Sequence, residues 1–363
     1  MDNTTYTTLF PIYERSFLLY TTIFIINILC SIAGIGGGSV LTPIFYLIGN
    51  YSLHNSIPLS MLCIVGNSII RYKILFNKKH LNNLFPLIDY ALLSIIIPFS
   101  ALGSFLGREL NKLFSDNALK YLIIIIFSLL AIKSIKKTHK IYKKEKVKVE
   151  NRENIYIDGI SITINTNQRV NIINNIYKIN KLYFVISIFV YLCIFSALTI
   201  IRIFNPSNIA YIIHVIFSLI IGIIAIIINN KYHLSPNFLL NINKSFKLSI
   251  FAFLIGTLST MIGIGGGAIL SIVLLQMKMK PEIIMATNAP ATLANSIIST
   301  MQYASDGRIM IQIGGFCFII SAIAGYIGIS FYKKFKKKYN KQWLIVFMMS
   351  CLMIFSVILV SLK

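Results

Sequence analysis

Long runs of apolar residues, separated by short polar stretches, dominate the pattern of this chain. Eight of the runs reach about the 20 residues that an α-helix needs to cross a bilayer. They cover residues 56–76, 84–107, 117–135, 182–201, 209–229, 282–304, 309–331 and 342–362. Two further apolar stretches, 17–49 and 247–276, are too long for one straight span and too short for two. The pattern therefore predicts eight membrane-spanning helices and two segments of another kind.

Each of these two stretches contains a glycine cluster. The first reads "SIAGIGGGSV" from Ser31 to Val40, and the second reads "TMIGIGGGAI" from Thr260 to Ile269. Three consecutive glycines disfavour continuous helix by about 1 kcal/mol per residue relative to alanine. Irregular backbone at membrane depth persists only where it is buried in protein or lines a wet cavity. We therefore expect each cluster to break a helix inside the protein.

The distribution of lysine and arginine predicts how these two stretches run. The most basic loops are 71–80, 133–181 and 332–341, and the positive-inside rule places them in the cytosol. Counting spans away from these loops puts both ends of 247–276 in the cytosol and both ends of 17–49 outside. Each stretch is therefore predicted to be a re-entrant hairpin with glycines at its tip, one entering from each side of the membrane.

The two halves of the chain also match in sequence. The glycine clusters align at an offset of 229 residues, Gly263 against Gly34, and "PLSMLCIVGNS" (58–68) lies opposite "ATNAPATLANS" (286–296). Farther on, "ALGSFLG" (101–107) resembles "AIAGYIG" (322–328). Inverted repeats with interrupted helices are typical of secondary transporters. The predicted fold is thus all-α, a polytopic integral membrane protein of about eight full transmembrane helices plus two glycine-rich re-entrant hairpins in an inverted repeat.

This repeat predicts four divisions of the chain. They are a first repeat (1–135), a basic cytosolic linker (136–181), two connecting transmembrane helices (182–246) and a second repeat (247–363). The linker is rich in lysine, asparagine and glutamate, so we expect a solvated and largely disordered connector.

Composition narrows the class of protein and its partners. The chain is 56% hydrophobic and 12% charged, with a formal net charge of +23. That charge would indicate nucleic acid in a soluble protein, but here the basic residues lie in loops, where they set topology and contact anionic lipid. We therefore expect the lipid bilayer as a partner and no nucleic acid.

The sequence shows no pattern typical of an enzyme or a metal site. The five cysteines are scattered, and we find no paired carboxylates and no His/Cys ligand cluster at a usable spacing. We therefore expect no enzymatic activity, no metal and no cofactor.

The glycine clusters are the predicted binding site. A short helix is expected to start after each break, with Ser39 as the N-cap of the first. Such a helix start offers free N–H groups and a partial positive charge, which favour an anion. The predicted substrate-binding residues are Gly34, Gly36, Gly37, Gly38, Ser39, Ser60, Asn67, Gly263, Gly265, Gly266, Gly267, Thr287, Asn288 and Asn295. The alternative is that the glycines only allow close helix packing and the asparagines bond between helices.

Three ionisable residues lie in or beside the predicted spans. Arg71 is expected near the cytosolic interface, where it either snorkels to water or attracts an anion. For Asp89 and His214 the favoured interpretation is a structural contact, and the alternative is a proton relay.

The quoted segments resemble the TauE/SafE family of sulfite-exporter-like membrane proteins. "AGIGGGSVLTPIFYLIG", "IPLSMLCIVGNS" and "PLIDYALL" are similar to its eukaryotic branch, and "IGIGGGAILSIVLLQMKMKPEIIMATNAPAT" is similar to its second repeat. The resemblance implies a permease for small anions such as sulfite, sulfonates or related sulfur-containing organic acids, with the hairpins near the substrate. Asn288 departs from the small hydroxyl residue that the family often has at this position.

The mechanism expected from this resemblance is alternating access between the two repeats. An inside-negative potential drives anions outward, so uncoupled movement favours export and uptake requires a coupled proton or cation. The alternative function is a non-transporting membrane scaffold or receptor that docks partners on its basic linker.

Overall fold

The computed structural model describes residues 14–78, 86–154, 208–232, 241–277, 279–339 and 343–363. Eleven α-helices account for most of these described residues. They are α1 (Glu14–Ala33), α2 (Gly38–Leu47), α3 (Leu53–Leu75), α4 (Tyr90–Leu113), α5 (Asp116–Asn154), α6 (Asn208–Tyr232), α7 (Ile242–Ile262), α8 (Gly267–Gln276), α9 (Pro281–Ser305), α10 (Ile311–Tyr339) and α11 (Trp343–Ser361). The predicted all-α fold is confirmed.

Eight helices in the described part of the chain are long and apolar enough to cross a membrane. They are α1, α3, α4, α5, α6, α7, α10 and α11. Helices α2 and α8 have ten residues each, about 15 Å at the normal helical rise, or half of a bilayer core. Large apolar side chains such as Ile216 on α6 and Ile323 on α10 are exposed on the outside of the bundle. The chain is a multi-pass integral membrane protein.

Six of these eight helices correspond to predicted spans, and two do not. Helices α1 and α7 have 20 and 21 residues, so the first limb of each glycine-rich stretch is itself a full-length span. Helix α9 corresponds to the predicted span 282–304 and is long enough, but it is almost wholly buried and carries many polar residues. The predicted span 182–201 lies outside the described residues.

The first glycine-rich segment is a hairpin whose two ends lie together. Arg15, at the start of α1, donates from Nε to the carbonyl oxygen of Ile48, just after α2, at 2.7 Å. Helix α3 begins after Ser52 on the same side. There, Nε2 of His54 lies 3.6 Å from Oδ1 of Asp116, at the start of α5. We call this end of the bundle the Ser52 face.

The second glycine-rich segment is a hairpin that enters from the opposite end. We call that end the Lys78 face, because the Lys78 carbonyl, just beyond α3, accepts a hydrogen bond from Leu87 ahead of α4. Asn229, near the end of α6, bonds to the Ala91 carbonyl at the start of α4, and its neighbour Asn230 accepts from Ser245 at the start of α7. At the other limb, α8 leads into α9, whose Thr287 accepts a hydrogen bond from the backbone N–H of Asp89, immediately before α4. The two hairpins are therefore inverted with respect to each other.

The expected disorder of the linker is wrong for residues 136–154, because α5 continues through them. Lysine and glutamate are strong helix formers, and this part of the helix also has tertiary contacts. Thr138 is buried, and the ring of Tyr142 packs edge-on against Trp343 with centroids 5.3 Å apart. Residues 155–181 lie outside the described part of the chain.

Candidate functional site

Two glycine turns join the limbs of the hairpins. We call residues 34–37 the first turn and residues 263–266 the second turn. The φ angles are +78°, +79° and +94° at Gly34, Gly36 and Gly37, and +79°, +68° and +76° at Gly263, Gly265 and Gly266. Only glycine adopts this left-handed region without steric penalty. The same three positions of each turn therefore require glycine for the backbone itself, beyond any role in close packing.

The two turns contact each other inside the bundle. Helix α2 begins at Gly38, and a Cβ atom added there would overlap the carbonyl oxygen of Ile264 in the second turn. Helix α8 begins at Gly267, where an added Cβ would lie 2.5 Å from the carbonyl oxygen of Ile35 in the first turn. The N-termini of the two short helices thus lie side by side, and both packing glycines are needed for that approach.

The predicted N-cap at Ser39 is wrong. Gly37 immediately precedes α2, and its left-handed backbone makes the chain reversal without a side-chain cap. Ser39 lies inside the first turn of α2, is fully buried, and its hydroxyl has no hydrogen-bond partner among the described residues.

Polar side chains from each half bind the first carbonyl of the opposite turn. Asn288 on α9 donates from Nδ2 to the Gly34 carbonyl at 2.9 Å. Its Nδ2 also lies 2.9 Å from the Gly267 carbonyl and 2.9 Å from Ser271 Oγ. In the other half, the hydroxyls of Thr42 and Ser60 lie 2.8 Å apart, and each lies 3.1 Å from the Gly263 carbonyl. The two arrangements are related by the sequence repeat, which places Ser60 opposite Asn288.

The predicted asparagine pair joins helices within each half. Asn67 on α3 donates to Ser31 Oγ of α1 at 2.8 Å and also bonds to Asn27. Asn295 on α9 donates to Ser259 Oγ of α7. In both cases the partners are 36 residues apart. These contacts attach the long limb of each hairpin to the helix that follows it, in agreement with the interhelical alternative.

The remaining polar candidates lie at helix starts and packing contacts. Thr287 is a buried residue of α9 that packs against the start of α4. Its hydroxyl oxygen accepts a hydrogen bond of 3.0 Å from the backbone N–H of Asp89. Asp89 caps α4 by accepting from the Leu92 N–H at 3.2 Å, so its structural interpretation is confirmed. His214 lies 3.4 Å from Ser218 Oγ and packs against the ring of Phe105.

Arg71 does not snorkel to water, because its side chain is fully buried in the protein. Helix α3 continues to Leu75, so Arg71 lies inside the helix, four residues after Asn67 and on the same helical face. Its Nη2 donates to the Gly34 carbonyl at 2.8 Å. The spacing to Asn67 is the signal in the sequence that associates Arg71 with the first turn.

An inverted pair of hairpins whose broken tips meet inside a helical bundle is typical of secondary membrane transporters. The family model "Sulfite exporter TauE/SafE" matches residues 8–154 and 170–356, and the chain belongs to this family. Its members are transporters and not enzymes, so membership implies membrane transport of an anionic substrate. The predicted family and the prediction that the chain is not an enzyme are confirmed.

Several plant proteins are similar to the chain, two of them over most of its length. Sulfite exporter TauE/SafE family protein 3 of Arabidopsis thaliana is 24% identical over 356 residues, which is 90% of this chain and 74% of the relative. Family protein 6 is 23% identical over 350 residues, or 92% of this chain and 78% of the relative. Family protein 1 is 32% identical over 114 residues, 31% of this chain and 25% of the relative. No solved structure matches the chain significantly.

Proposed function

We propose that the protein transports small anions of the sulfite, sulfonate or related sulfur-containing organic acid class by alternating access between two inverted repeats. The repeats are residues 1–135 and 247–363, joined by the linker 136–181 and the connecting segment 182–246. The observation that carries the proposal is the meeting of the two glycine turns, which brings the N-termini of α2 and α8 together.

The chemistry of this junction suits an anion. The first N–H groups of a helix have no partner within that helix, and the summed backbone dipoles give its N-terminus a partial positive charge. In this proposal the N–H groups of residues 36–39 and 265–268 bind the oxygens of the anion. Asn288 and Ser60 already bind the turn carbonyls, which favours a backbone orientation that leaves N–H groups for the substrate.

Asn67 and Asn295 have a supporting role in this proposal. Each attaches the long limb of its hairpin to a neighbouring helix, so that the turn at the tip of the limb is held in place. A site made mainly of backbone N–H groups accepts different small anions that share several oxygen acceptors. The proposed substrate class is accordingly broad.

Alternating access needs two halves that move against each other. The residues at the junction of the turns are fully buried in the described conformation, so neither face reaches the proposed site directly. Because the junction joins both hairpins, a movement of one hairpin relative to the other opens the site toward one face at a time. We place the Lys78 face in the cytosol, on the positive-inside rule.

The membrane potential sets the direction of uncoupled movement. An inside-negative potential drives each negative charge outward by about 2.3 kcal/mol per 100 mV. Export of the anion therefore requires no coupling ion, whereas uptake requires a coupled proton or cation.

The proposal is tested with the purified full-length chain in liposomes loaded with radiolabelled sulfite. We expect saturable sulfite efflux that an interior-negative potassium diffusion potential accelerates. The substrates are ranked by how strongly each unlabelled anion reduces the efflux of labelled sulfite. The competitors are sulfite, thiosulfate, sulfoacetate, sulfate and small carboxylates. Efflux of labelled sulfite equal to that from protein-free liposomes would contradict sulfite transport and favour a non-transporting scaffold.

A further inference from the structure

Arg71 is a fully buried guanidinium with free hydrogen-bond donors. Its Nη2 binds the Gly34 carbonyl, but Nε and Nη1 have no partner among the described residues. The ion pairs found in that part of the chain involve His54, Arg108 and Lys112, and none includes Arg71. A guanidinium carries its charge at neutral pH, and a buried charge is strongly destabilising unless it is paired. A negatively charged group beside Arg71 would therefore stabilise this arrangement.

The free donors of Arg71 lie against the first turn. A Cβ atom added to Gly36 would be 2.9 Å from the methyl carbon of Thr292, 3.2 Å from Nη1 of Arg71 and 3.7 Å from the hydroxyl of Ser68. The Ser68 hydroxyl is buried and also lacks a partner among the described residues, as does that of Ser39 in α2. A guanidinium N–H and a hydroxyl therefore converge on one glycine whose chain leads directly into the start of α2.

In the part of the chain that the structure describes, the second turn has no such cation. The pairing of Ser60 with Asn288 and of Asn67 with Asn295 is an offset of 228 residues, which places Ser299 opposite Arg71. Ser299 is neutral, and its hydroxyl lies 2.7 Å from that of Thr260. The three atoms nearest to a Cβ added to Gly265, the counterpart of Gly36, all belong to the apolar side chain of Ile64. The two turns therefore share the same backbone conformation, but only the first turn has a buried positive charge, that of Arg71, beside it.

We infer that Arg71 and the hydroxyl of Ser68 bind the negatively charged oxygens of the transported anion at the first turn. The inference rests on the proposed function and adds the residue that selects charge. A guanidinium matches ligands with several oxygen acceptors, so the ligand class is a small oxyanion, a sulfite, sulfonate or carboxylate. The second turn then supplies neutral backbone donors to the remaining part of the substrate.

The test compares the wild type with Arg71→Gln in the full-length chain, using sulfite as the probe. One measurement is the sulfite-dependent rise in unfolding temperature, and the other is the KM for sulfite flux in liposomes. We expect Arg71→Gln to abolish the sulfite-dependent rise and to increase KM at least about tenfold, the usual effect of losing a charged hydrogen bond. Removing an uncompensated buried charge should leave the unfolding temperature without sulfite unchanged or higher.

The matched control is Arg108→Gln. Arg108 is an equally buried arginine on α4, but it is paired with Asp306 at 2.8 Å. This variant should have a lower unfolding temperature and keep the sulfite-dependent rise. If Arg71→Gln does not fold, Arg71→Lys carries the test: it keeps the charge but loses the planar set of donors, and KM should rise at least about threefold.

The outcomes separate this inference from the proposed function. A wild type that transports sulfite beside an Arg71→Gln or Arg71→Lys variant with unchanged KM and unchanged sulfite response would overturn the inference alone, leaving Arg71 as a structural partner of Gly34. A wild type that neither binds nor transports any tested anion would overturn the proposed function, and the inference with it.

Discussion

Asn288 donates a hydrogen bond of 2.9 Å to the carbonyl oxygen of Gly34, a residue 254 positions away in the chain. The bond joins α9 of the second half to the glycine turn of the first half. Ser60 makes the reverse connection from α3 to the carbonyl of Gly263. In the described conformation each half of the bundle therefore contacts the broken helix of the other, so the two hairpins are coupled to each other.

Replacing Asn288 by leucine should destabilise the protein more than replacing Ser60, its counterpart in the first half, by alanine. Asn288→Leu removes the donor to three acceptors, on Gly34, Gly267 and Ser271, and should lower the free energy of unfolding by about 2–3 kcal/mol. Ser60→Ala should lower it by about 1 kcal/mol, because Thr42 still contacts the Gly263 carbonyl. Thermal unfolding in detergent measures both. Equal losses, or the reverse order, would show that the two bonds do not have these roles.

A methyl group at the junction of the turns should push them apart. In Gly38→Ala the new Cβ would overlap the carbonyl of Ile264, and overpacking of this kind costs about 1–3 kcal/mol. The control is Gly315→Ala on α10, where an added Cβ meets no atom within 4 Å, so stability should be unchanged or slightly increased. Both are followed by unfolding temperature and sulfite flux. Wild-type behaviour of Gly38→Ala would mean that the turns are not in contact.

An ion network holds the two halves together at the Ser52 face. Asp306, after α9, pairs with Arg108 at 2.8 Å and with Lys112 at 3.1 Å, both on α4. The Arg108 side chain is only 1% exposed and keeps Glu109 as a partner at 3.0 Å, so Asp306→Asn should lower the free energy of unfolding by about 2 kcal/mol. Lys112 is 30% exposed, and Lys112→Gln should change it by less than about 1 kcal/mol. Urea unfolding of the two variants in detergent tests the difference, and a tolerated Asp306→Asn would argue against a buried pair.

The two faces of the bundle should be accessible from opposite sides of the membrane. Leu113, at the end of α4, is exposed at the Ser52 face, and Lys280, at the start of α9, is exposed at the Lys78 face. In a cysteine-free background, Leu113→Cys should react with a membrane-impermeant maleimide added outside intact cells. Lys280→Cys should react only after the cells are opened. Labelling of both positions from one side would contradict the inverted hairpins.

The hairpins were predictable because their signals are local. Three glycines in a row disfavour continuous helix, and the lysine-rich loops predict on which side each stretch begins and ends. The unequal limbs were not predictable, since an apolar run such as 17–49 does not indicate how its length divides between α1 and α2. The helical start of the linker was missed because its charged composition fits both a solvated helix and a disordered chain.

The contacts of the site were less predictable than its location. Asn288 and Ser60 are recognisable as polar residues in apolar spans, but their partners lie in the opposite half of the chain, and only the packing of the bundle brings them together. The lysines after Arg71 suggested a side chain that snorkels to water, whereas the side chain is buried in the protein. Its burial follows from its position on the helical face that also carries Asn67 and from the carbonyl of Gly34 within its reach.

Sulfite flux through variants of each single turn tests most directly the claim that both turns form one anion site. Gly37→Leu and Gly266→Leu place a side chain at backbone with φ of +94° and +76°, whereas Gly315→Leu places the same side chain at an open position on α10. In variants that elute from a sizing column as the wild type does, either turn substitution alone should abolish sulfite flux and Gly315→Leu should retain it. Wild-type flux in Gly37→Leu or Gly266→Leu would contradict a site shared by the two turns.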